Sequence, residues 1–258
     1  MSKMFATERR NVILEILQEK KRITVKDLSK MLEVSEATLR SDLSSMENQG
    51  LLTRTHGGAV LDSPINSEHT FSERKKKNRQ SKVIIAKEAV KLINEKDCIL
   101  LDASTTALEI ARILKEENMQ LTVLTNGISA AIELRDNPSI TVILLGGMLR
   151  NGSMALEGEF GLNILNQIHV DTMFTSARGF TTEEGLTDFS VFEVELKKNL
   201  VKRVEKVIAI IDHSKIGDNS IASFAKLDDI DIFVSENEVD EDLQQSLEQH
   251  QVQFILAD

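Results

Sequence analysis

Short apolar runs alternate with helical periodicity from about residue 81 to the end of the chain, and this feature most constrains the fold. Segments before and between the runs have the spacing of helices, most clearly from Lys82 to Ile93. Strand–helix alternation of this length predicts an open, mainly parallel α/β sheet. The seven predicted strands are 98–101, 121–124, 140–145, 172–174, 207–211, 230–234 and 252–256.

Polar or glycine-rich clusters follow five of these runs directly. Ligands bind beyond the carboxyl ends of the strands in such sheets, so we expect the clusters to meet in one crevice. The first cluster opens a helix, where free N–H groups favour an anion, although the same residues are also ordinary caps. With the basic and polar groups of the other clusters, this inventory fits a phosphorylated sugar or polyol. The candidate effector-binding residues are Asp102, Ser104, Thr105, Thr106, Asn126, Gly146, Gly147, Arg150, Ala177, Arg178, Glu193 and Lys215.

Other kinds of chemistry find little support in the sequence. A lone cysteine, Cys98, excludes an intrachain disulfide and a Cys-rich metal site. We expect no catalytic residues, no metal ligands and no cofactor. No apolar stretch approaches the ~20 residues of a membrane span, and residues 1–10 lack the apolar core of a signal peptide. These features predict an intracellular, cytoplasmic protein.

The first sixty residues have the pattern of three short helices. Thr7 is a candidate cap for the first helix, and Thr24 with Asp27 indicates a capped second helix. A third helix begins at Ser35 and ends at Gly50. The tight turn between the last two is typical of a helix-turn-helix, whose second helix enters the major groove of DNA. A small protein-binding bundle is the alternative.

A hairpin signal follows these helices, because residues 51–55 and 59–61 flank a His-Gly-Gly turn. A hairpin behind a helix-turn-helix is a wing. We expect Arg54 and His56 at its tip, near phosphate or the minor groove, although His56 is alternatively an ordinary exposed turn residue. The candidate DNA-binding residues are Thr24, Ser35, Glu36, Ala37, Thr38, Arg40, Ser41, Arg54 and His56.

The charge distribution also separates two parts of the chain. The net charge is −10, yet residues 71–91 carry eight basic against two acidic side chains. Residues 92–258 carry 13 basic against 29 acidic side chains. We predict a DNA-binding domain at 5–60, a linker at 61–74 and an effector-binding and oligomerisation domain at 75–258. The basic strip at its start is expected to be solvated or to contact DNA phosphate.

Two motifs resemble the DeoR family of bacterial transcriptional regulators. The run V-S-E-A-T-L-R-S-D-L at 34–43 is similar to the family pattern V-S-x-x-T-[IVL]-R-R-D-L, with Ser41 where an arginine is usual. The run at 50–59, G-L-L-T-R-T-H-G-G-A, is similar to G-x-L-x-R-x-H-G-G-A. Loops such as D-A-S-T-T at 102–106 and D-H-S-K-I-G at 212–217 are similar to the family's effector domain, which is related to ribose-5-phosphate isomerase. Phe71, Arg74 and Lys82 also match family positions, which implies that their segment packs partly on this domain.

The resemblance implies a repressor of a carbohydrate-catabolism operon that a phosphorylated sugar or polyol releases from its operator. One recognition helix covers few base pairs, so we expect a homo-oligomer, dimer or tetramer. The alternative is a sugar-phosphate isomerase-like enzyme with an appended DNA-binding head. Isomerisation needs a base, and the related isomerase uses acidic residues on the loop that corresponds to 175–179. That loop contains no carboxylate here, which favours binding without turnover.

Overall fold

The computed structural model describes residues 9–10, 12–13, 16–17, 20, 22–48, 52–55, 57–60, 71–150 and 152–258. The chain forms two compact units, residues 1–70 and residues 71–258, and each has its own buried apolar core. Within the described ranges, no helix has both the length and the apolar character that crossing a membrane requires.

The first unit combines three helices with a small antiparallel sheet. Residues 9–10, 12–13, 16–17 and 20 are helical and are called α1. The sheet has the order β1-β3-β2, and Leu28, Leu39 and Leu43 are buried between the helices. This arrangement is the predicted winged helix-turn-helix. The other elements are β1 Arg22–Thr24, α2 Val25–Leu32, α3 Glu36–Asn48, β2 Thr53–Thr55 and β3 Gly58–Val60.

Strand β1 was not predicted, and its pairing with β3 explains why the wing has a glycine at position 58. Ile23 of β1 lies opposite Ala59 of β3. A Cβ atom at the preceding residue, Gly58, would lie 2.1 Å from the backbone oxygen of Ile23. The wing therefore closes on β1 only because glycine has no side chain.

A seven-stranded parallel sheet forms the centre of the second unit. Its spatial order is β15-β14-β12-β9-β4-β5-β6, and every neighbouring pair is parallel. All seven predicted strands are present, so the predicted fold class is confirmed. The strands are β4 Cys98–Leu101, β5 Leu121–Thr125, β6 Ile140–Leu144, β9 Thr172–Thr175, β12 Lys206–Ile210, β14 Ile232–Ser235 and β15 Gln253–Leu256.

Both faces of this sheet are covered, which explains why its strands are apolar throughout. Ile99 and Leu101 pack in the core cluster that contains residues of α5, α6 and α7, whereas Leu100 packs in the cluster with α8 and α9. The second face also carries a small antiparallel sheet, β10-β11-β13. The helices are α4 Phe71–Lys76, α5 Arg79–Val90, α6 Thr105–Leu114, α7 Ile128–Leu134, α8 Val191–Val201 and α9 Glu241–Gln249. The remaining strands are β7 Met148–Leu149, β8 Leu156–Glu157, β10 Gly179–Thr181, β11 Gly185–Asp188 and β13 Ala222–Ala225.

The strand order reverses between β4 and β9. After β4 the chain moves outward through β5 and β6, and it returns to the other side of β4 at β9. The loops after β4 and β9 therefore diverge and leave a crevice at their carboxyl ends, which is where open α/β sheets bind ligands.

Helix α4 begins at Phe71, inside the segment that we predicted as linker. The Phe71 N–H donates to the Gly152 backbone oxygen at 3.3 Å, so residues 71–74 belong to the second unit. Residues 61–70 lie outside the described residues.

Candidate functional site

Asp102 holds together the two loops that diverge at the strand-order reversal. Its Oδ1 accepts the Ser104 N–H at 2.9 Å, and its Oδ2 accepts the Ser176 N–H at 2.9 Å and the Thr175 hydroxyl at 2.8 Å. Burial alone would raise the pKa of Asp102, but the Lys197 ammonium and these hydrogen bonds hold it below its usual range. Asp102 is fully buried, so it supports the site rather than lining it.

Lys197 is the cation at the centre of this network. Its Nζ lies 3.1 Å from Asp102, 3.0 Å from Asp188 and 3.6 Å from Glu193, and it donates to the Ser176 backbone oxygen at 2.8 Å. Burial lowers the pKa of Lys197, but the three carboxylates outweigh it and raise the pKa above its ordinary value.

Lys197 and Asp188 were missed in the sequence. Helical spacing from Val194 to Leu200 places position 197 on the buried face of α8, and a lysine at such a position indicates a buried ion pair.

Glu193 titrates differently from the other carboxylates of the network. Burial and the neighbouring charge of Asp188 raise the pKa of Glu193 to about 7, although Lys197 and Arg74 oppose this shift. Glu193 is predicted as an effector-binding residue, and the structure places it behind Lys197, among the buried groups.

A cleft of about 510 Å³, open solvent included, lies above this network. It brings together residues from the ends of β4, β9 and β12 with residues of the α4–α5 corner. Five predicted effector-binding residues line it: Ser104, Thr105, Ala177, Arg178 and Lys215. The other lining residues are Arg74, Lys77, Asn78, Lys82, Ser176, Asp188, Lys197, Asp212 and Ser214.

Lys215 and Asp212 form the side of the cleft after β12. The Lys215 ammonium donates to the Ser176 hydroxyl at 2.7 Å and lies 3.3 Å from Asp212 Oδ2. Burial lowers the pKa of Lys215, and the ion pair with Asp212 opposes that shift. Burial would raise the pKa of Asp212, but Lys215 and the hydrogen bonds from Ser214 and Asn78 lower it to about 2.

A further side of the cleft, in contact with Asp212, is the corner between α4 and α5. Lys82 donates to the backbone oxygens of Arg74 and Lys77, both at 2.6 Å, and so binds the carboxyl end of α4. Burial and the charge of Lys215 lower the pKa of Lys82 to about 8. Asn78 has a left-handed backbone, φ 51°, and its amide donates to Asp212 at 3.2 Å. The basic strip is thus partly built into the site, rather than being wholly solvated linker.

Four cationic side chains of the cleft have no carboxylate within 4 Å among the described residues: Arg74, Lys77, Lys82 and Arg178. Arg74 rests on the rings of Phe71 and Phe189, and its buried Nε has no hydrogen-bond acceptor among the described residues. Groups of like charge this close together are unfavourable unless an anion lies between them.

Three of the remaining predicted residues lie away from the cleft lining. The hairpin β7–β8 crosses the ends of β5 and β6, so that Asn126 donates to the Leu156 backbone oxygen at 3.1 Å. A Cβ atom on Gly147 would lie 2.7 Å from the Glu157 backbone oxygen. Gly147 therefore serves close backbone packing, whereas a Cβ atom on Gly146 would meet no atom within 4 Å. We predicted that all five clusters meet in one crevice, but only the three that follow β4, β9 and β12 line the cleft.

Arg150 and Thr106 complete the predicted set. The Arg150 guanidinium lies 2.6 Å from both Ser190 Oγ and Glu157 Oε2, which anchors it near the start of α8. Thr106 is fully buried at the start of α6, and its hydroxyl has no partner among the described residues. Neither residue lines the cleft.

In the first unit, the face of α3 that we predict to contact DNA, called the reading face, is exposed. Ser35 caps the helix, because its hydroxyl accepts the Thr38 N–H at 3.2 Å. The Arg40 guanidinium lies 3.2 Å from Glu36 Oε2, and both side chains are about half exposed. Leu39 lies on the opposite, buried face. The exposed positions are Ser35, Glu36, Ala37, Thr38, Arg40 and Ser41.

The other predicted DNA contacts are placed less directly. The Thr24 hydroxyl accepts the Asp27 N–H at 3.1 Å, so Thr24 caps α2. Arg54 lies in the middle of β2, opposite Ala59, and not at the wing tip as expected. Its guanidinium donates to the Ser44 hydroxyl at 3.2 Å, which links the wing to α3. His56 lies outside the described residues.

Two family models together match most of the chain. A DeoR-like helix-turn-helix domain matches residues 9–64. A DeoR C terminal sensor domain matches residues 77–237, which include most of the cleft-forming loops.

Curated relatives align over nearly the whole chain. The HTH-type transcriptional regulator GolR of Listeria innocua is 45% identical over 93% of this chain and 94% of its own length. The HTH-type transcriptional repressor GlcR of Bacillus subtilis is 34% identical over 90% of this chain and 89% of its own. A solved ribose 5-phosphate isomerase A of Methanocaldococcus jannaschii shares 20% identity over 54% of this chain and 55% of its own, with a TM-score of 0.41. The family models and the two regulators show that the chain belongs to the DeoR family of helix-turn-helix transcriptional regulators.

Proposed function

We propose that this regulator represses a carbohydrate-catabolism operon and that a phosphorylated sugar or polyol, bound in the cleft, releases it from its operator. The observation that carries the ligand class is the set of four cations that have no ion-pair partner among the described residues, at the strand-order reversal of an otherwise acidic unit. A phosphate dianion supplies the missing negative charge, and arginine and lysine are its usual partners.

The start of α6 supplies a second kind of anion donor. Thr105 is the first residue of that helix and lines the cleft beside Ser104. The Ser104 hydroxyl is occupied by the Ala107 N–H at 3.0 Å, which leaves the first N–H groups of the helix for a ligand. The cations and the helix start thus favour a phosphate at the same place.

The rest of the ligand would contact polar groups that are already held in place. Asp188, Asp212 and Ser214 line the cleft, and lysines or neighbouring hydroxyls fix their orientation. Carboxylates and hydroxyls held in this way accept hydrogen bonds from sugar or polyol hydroxyls without further ordering. An apolar ligand would leave these groups without partners.

In the first unit, we propose that α3 enters the major groove and that Arg40 reads a base edge or binds a phosphate. The exposed ion pair with Glu36 costs little to break, because such pairs contribute about 0–1 kcal/mol.

The effector then acts only through the difference between its affinities for the DNA-competent and the DNA-incompetent conformation.

The experiment is thermal unfolding against a panel of phosphorylated sugars and polyols, with the unphosphorylated parents beside them. We expect one phosphate ester to raise the Tm and to release the protein from DNA, because a ligand of the folded state stabilises it by mass action. Arg178→Ala should abolish the rise, since Arg178 lines the cleft and has no ion pair in the part of the chain that the structure describes. Arg135→Ala is the matched control, because Arg135 is exposed and pairs only with its neighbour Asp136 among the described residues.

One observation favours the competing isomerase function. The loop 175–179 contains no carboxylate, but β11 and α8 bring Asp188 and Glu193 to the site. Asp188 is held by the Lys197 ammonium at 3.0 Å. Glu193, although its pKa is raised to about 7, lies against Lys197 and does not line the cleft, so it is not placed to exchange a proton with a bound substrate. We therefore propose binding without turnover, and conversion of ribose 5-phosphate by the purified protein would overturn this.

A further inference from the structure

The second unit exposes an apolar groove beside the start of α8. Met148 of β7, Phe160 of the turn 159–166 and Phe192 of α8 form its walls, and Gly158 lies between them. Phe160 is 75% exposed and Phe192 is 52% exposed, although their neighbours Leu162 and Val194 are buried. Rings exposed in this way cost hydration free energy unless another surface covers them.

We infer that a second copy of this chain covers the groove and that this contact builds the regulator's dimer. With their sequence neighbours Leu149 and Val191, the three groove residues expose on the order of 500 Å² of apolar surface. A standard interface buries about 800 Å² on each partner, and about 65% of it is apolar in homodimers. The groove therefore supplies the apolar part of one such interface.

The charges around the groove suit contact with an identical surface. The Arg150 guanidinium lies 5.7 Å from the centre of the Phe192 ring, while Glu159 and Glu195 line the groove. A two-fold contact brings the same surface of each copy together, so a surface with both signs can pair with itself. Operator recognition needs two DNA-binding domains, which also favours a second copy of the chain in the groove; this part of the argument rests on the proposed function.

The groove and the anion cleft share one turn of α8. Ser190 caps this turn by accepting the Glu193 N–H at 3.2 Å, and it donates to Glu157 at 2.7 Å. Phe192 of the turn faces the groove, whereas Glu193 faces Lys197 of the cleft network. A ligand that shifts this turn changes the dimer contact, and linkage requires the dimer to change ligand affinity by the same factor.

The test is the mass of the full chain in solution, measured by light scattering after gel filtration at about 10 μM. We expect a dimer or larger for the wild type, and at most half that mass for Phe160→Glu/Phe192→Glu. Ile221→Glu is the matched control, because Ile221 is 73% exposed and does not line the groove. It should keep the wild-type mass.

A monomeric wild type, an unchanged mass of the double variant, or equal dissociation by Ile221→Glu would each overturn the inference. A circular dichroism melt checks folding, and Leu149→Glu, at an exposed position, repeats the test if the double variant fails to fold. The ligand panel is scored separately. If the double variant dissociates but no phosphate ester raises the Tm of the wild type, the effector proposal is overturned and the proposed interface is not.

Discussion

The two units use charge in opposite ways. On α3, Arg40 and Glu36 form one exposed ion pair that water screens on most sides. Around Lys197, which is 2% exposed, three carboxylates lie within 3.6 Å and share it as their nearest cation. An exposed charge can be replaced with little effect on its neighbours. Replacing one member of a buried cluster changes what every other member contributes to the free energy of unfolding. Function and stability should thus be separable in the first unit and coupled in the second.

Replacing Lys197 by methionine should give the largest effect. The change leaves Asp102, Asp188 and Glu193 buried without their nearest cation, and we expect the free energy of unfolding to fall by about 3–5 kcal/mol at pH 7.5. Urea unfolding measures it. The loss should shrink at pH 5, because without Lys197 the folded carboxylates hold protons more tightly than the unfolded ones do.

Lys198→Met is the control for this prediction. Lys198 is the next residue on α8, is half-buried and has no ion pair among the described residues. Its replacement should change the free energy of unfolding by no more than about 0.5 kcal/mol. If Lys197→Met stayed within 1 kcal/mol of the wild type at both pH values, the buried charges would not be coupled and the contrast between the units would fail.

Arg40→Ala should show the separable behaviour of the first unit. We expect DNA affinity to fall by about 1–3 kcal/mol, roughly 5- to 150-fold, because one arginine contact to a base or phosphate is lost. The free energy of unfolding should change by no more than about 0.5 kcal/mol, since only an exposed ion pair is removed. Gel shifts on a DNA fragment selected with the wild-type protein provide the measurement.

Arg203→Ala removes an exposed arginine from the second unit and should leave DNA affinity unchanged. Two results would count against the reading face on α3: wild-type affinity of the Arg40 variant, or a loss of affinity that simply follows a loss of folded protein.

The same contrast explains what the sequence could predict. The predicted DNA-contacting face of α3 lies within one helix, so the spacing of Leu39, Leu43 and Met46 is enough to assign its exposed side. The seven strands could be predicted for a similar reason, because each is a local apolar run. The β4–β9 reversal follows from strand order, which a sequence pattern does not contain.

The cleft was predicted only in part, because its members come from separate elements. Ser104, Thr105, Arg178 and Lys215 follow strands whose ends meet, and the strand-end rule finds them. Arg74, Lys77 and Lys82 come from a corner between two helices that precede the sheet, where charge alone favours a solvated strip. Asn126 was misplaced because the β7–β8 hairpin crosses its strand end, and no local pattern encodes that crossing.

The last prediction, with the smallest effect, concerns the pH dependence of the cleft. Lys82 has a pKa of about 8 in the folded protein without ligand, and a bound phosphate raises it, so binding takes up a proton above pH 8. Calorimetry with the phosphate ester from the panel should show affinity that is flat from pH 7 to 8. Above pH 8 it should fall, by up to about tenfold per pH unit.

The stability of the protein without ligand should respond to Lys82 with the opposite sign. The unfolded lysine, with a pKa near 10.5, binds a proton more readily than the folded one, so this residue adds stability as pH rises from 8 toward 10.5. Lys82→Met should weaken ligand binding at pH 7 and remove the fall in affinity above pH 8. If the variant keeps the wild-type slope, Lys82 is not the titrating group. If the wild type has no slope, phosphate binding does not change the protonation of Lys82, and the Lys82 ammonium does not contact the phosphate.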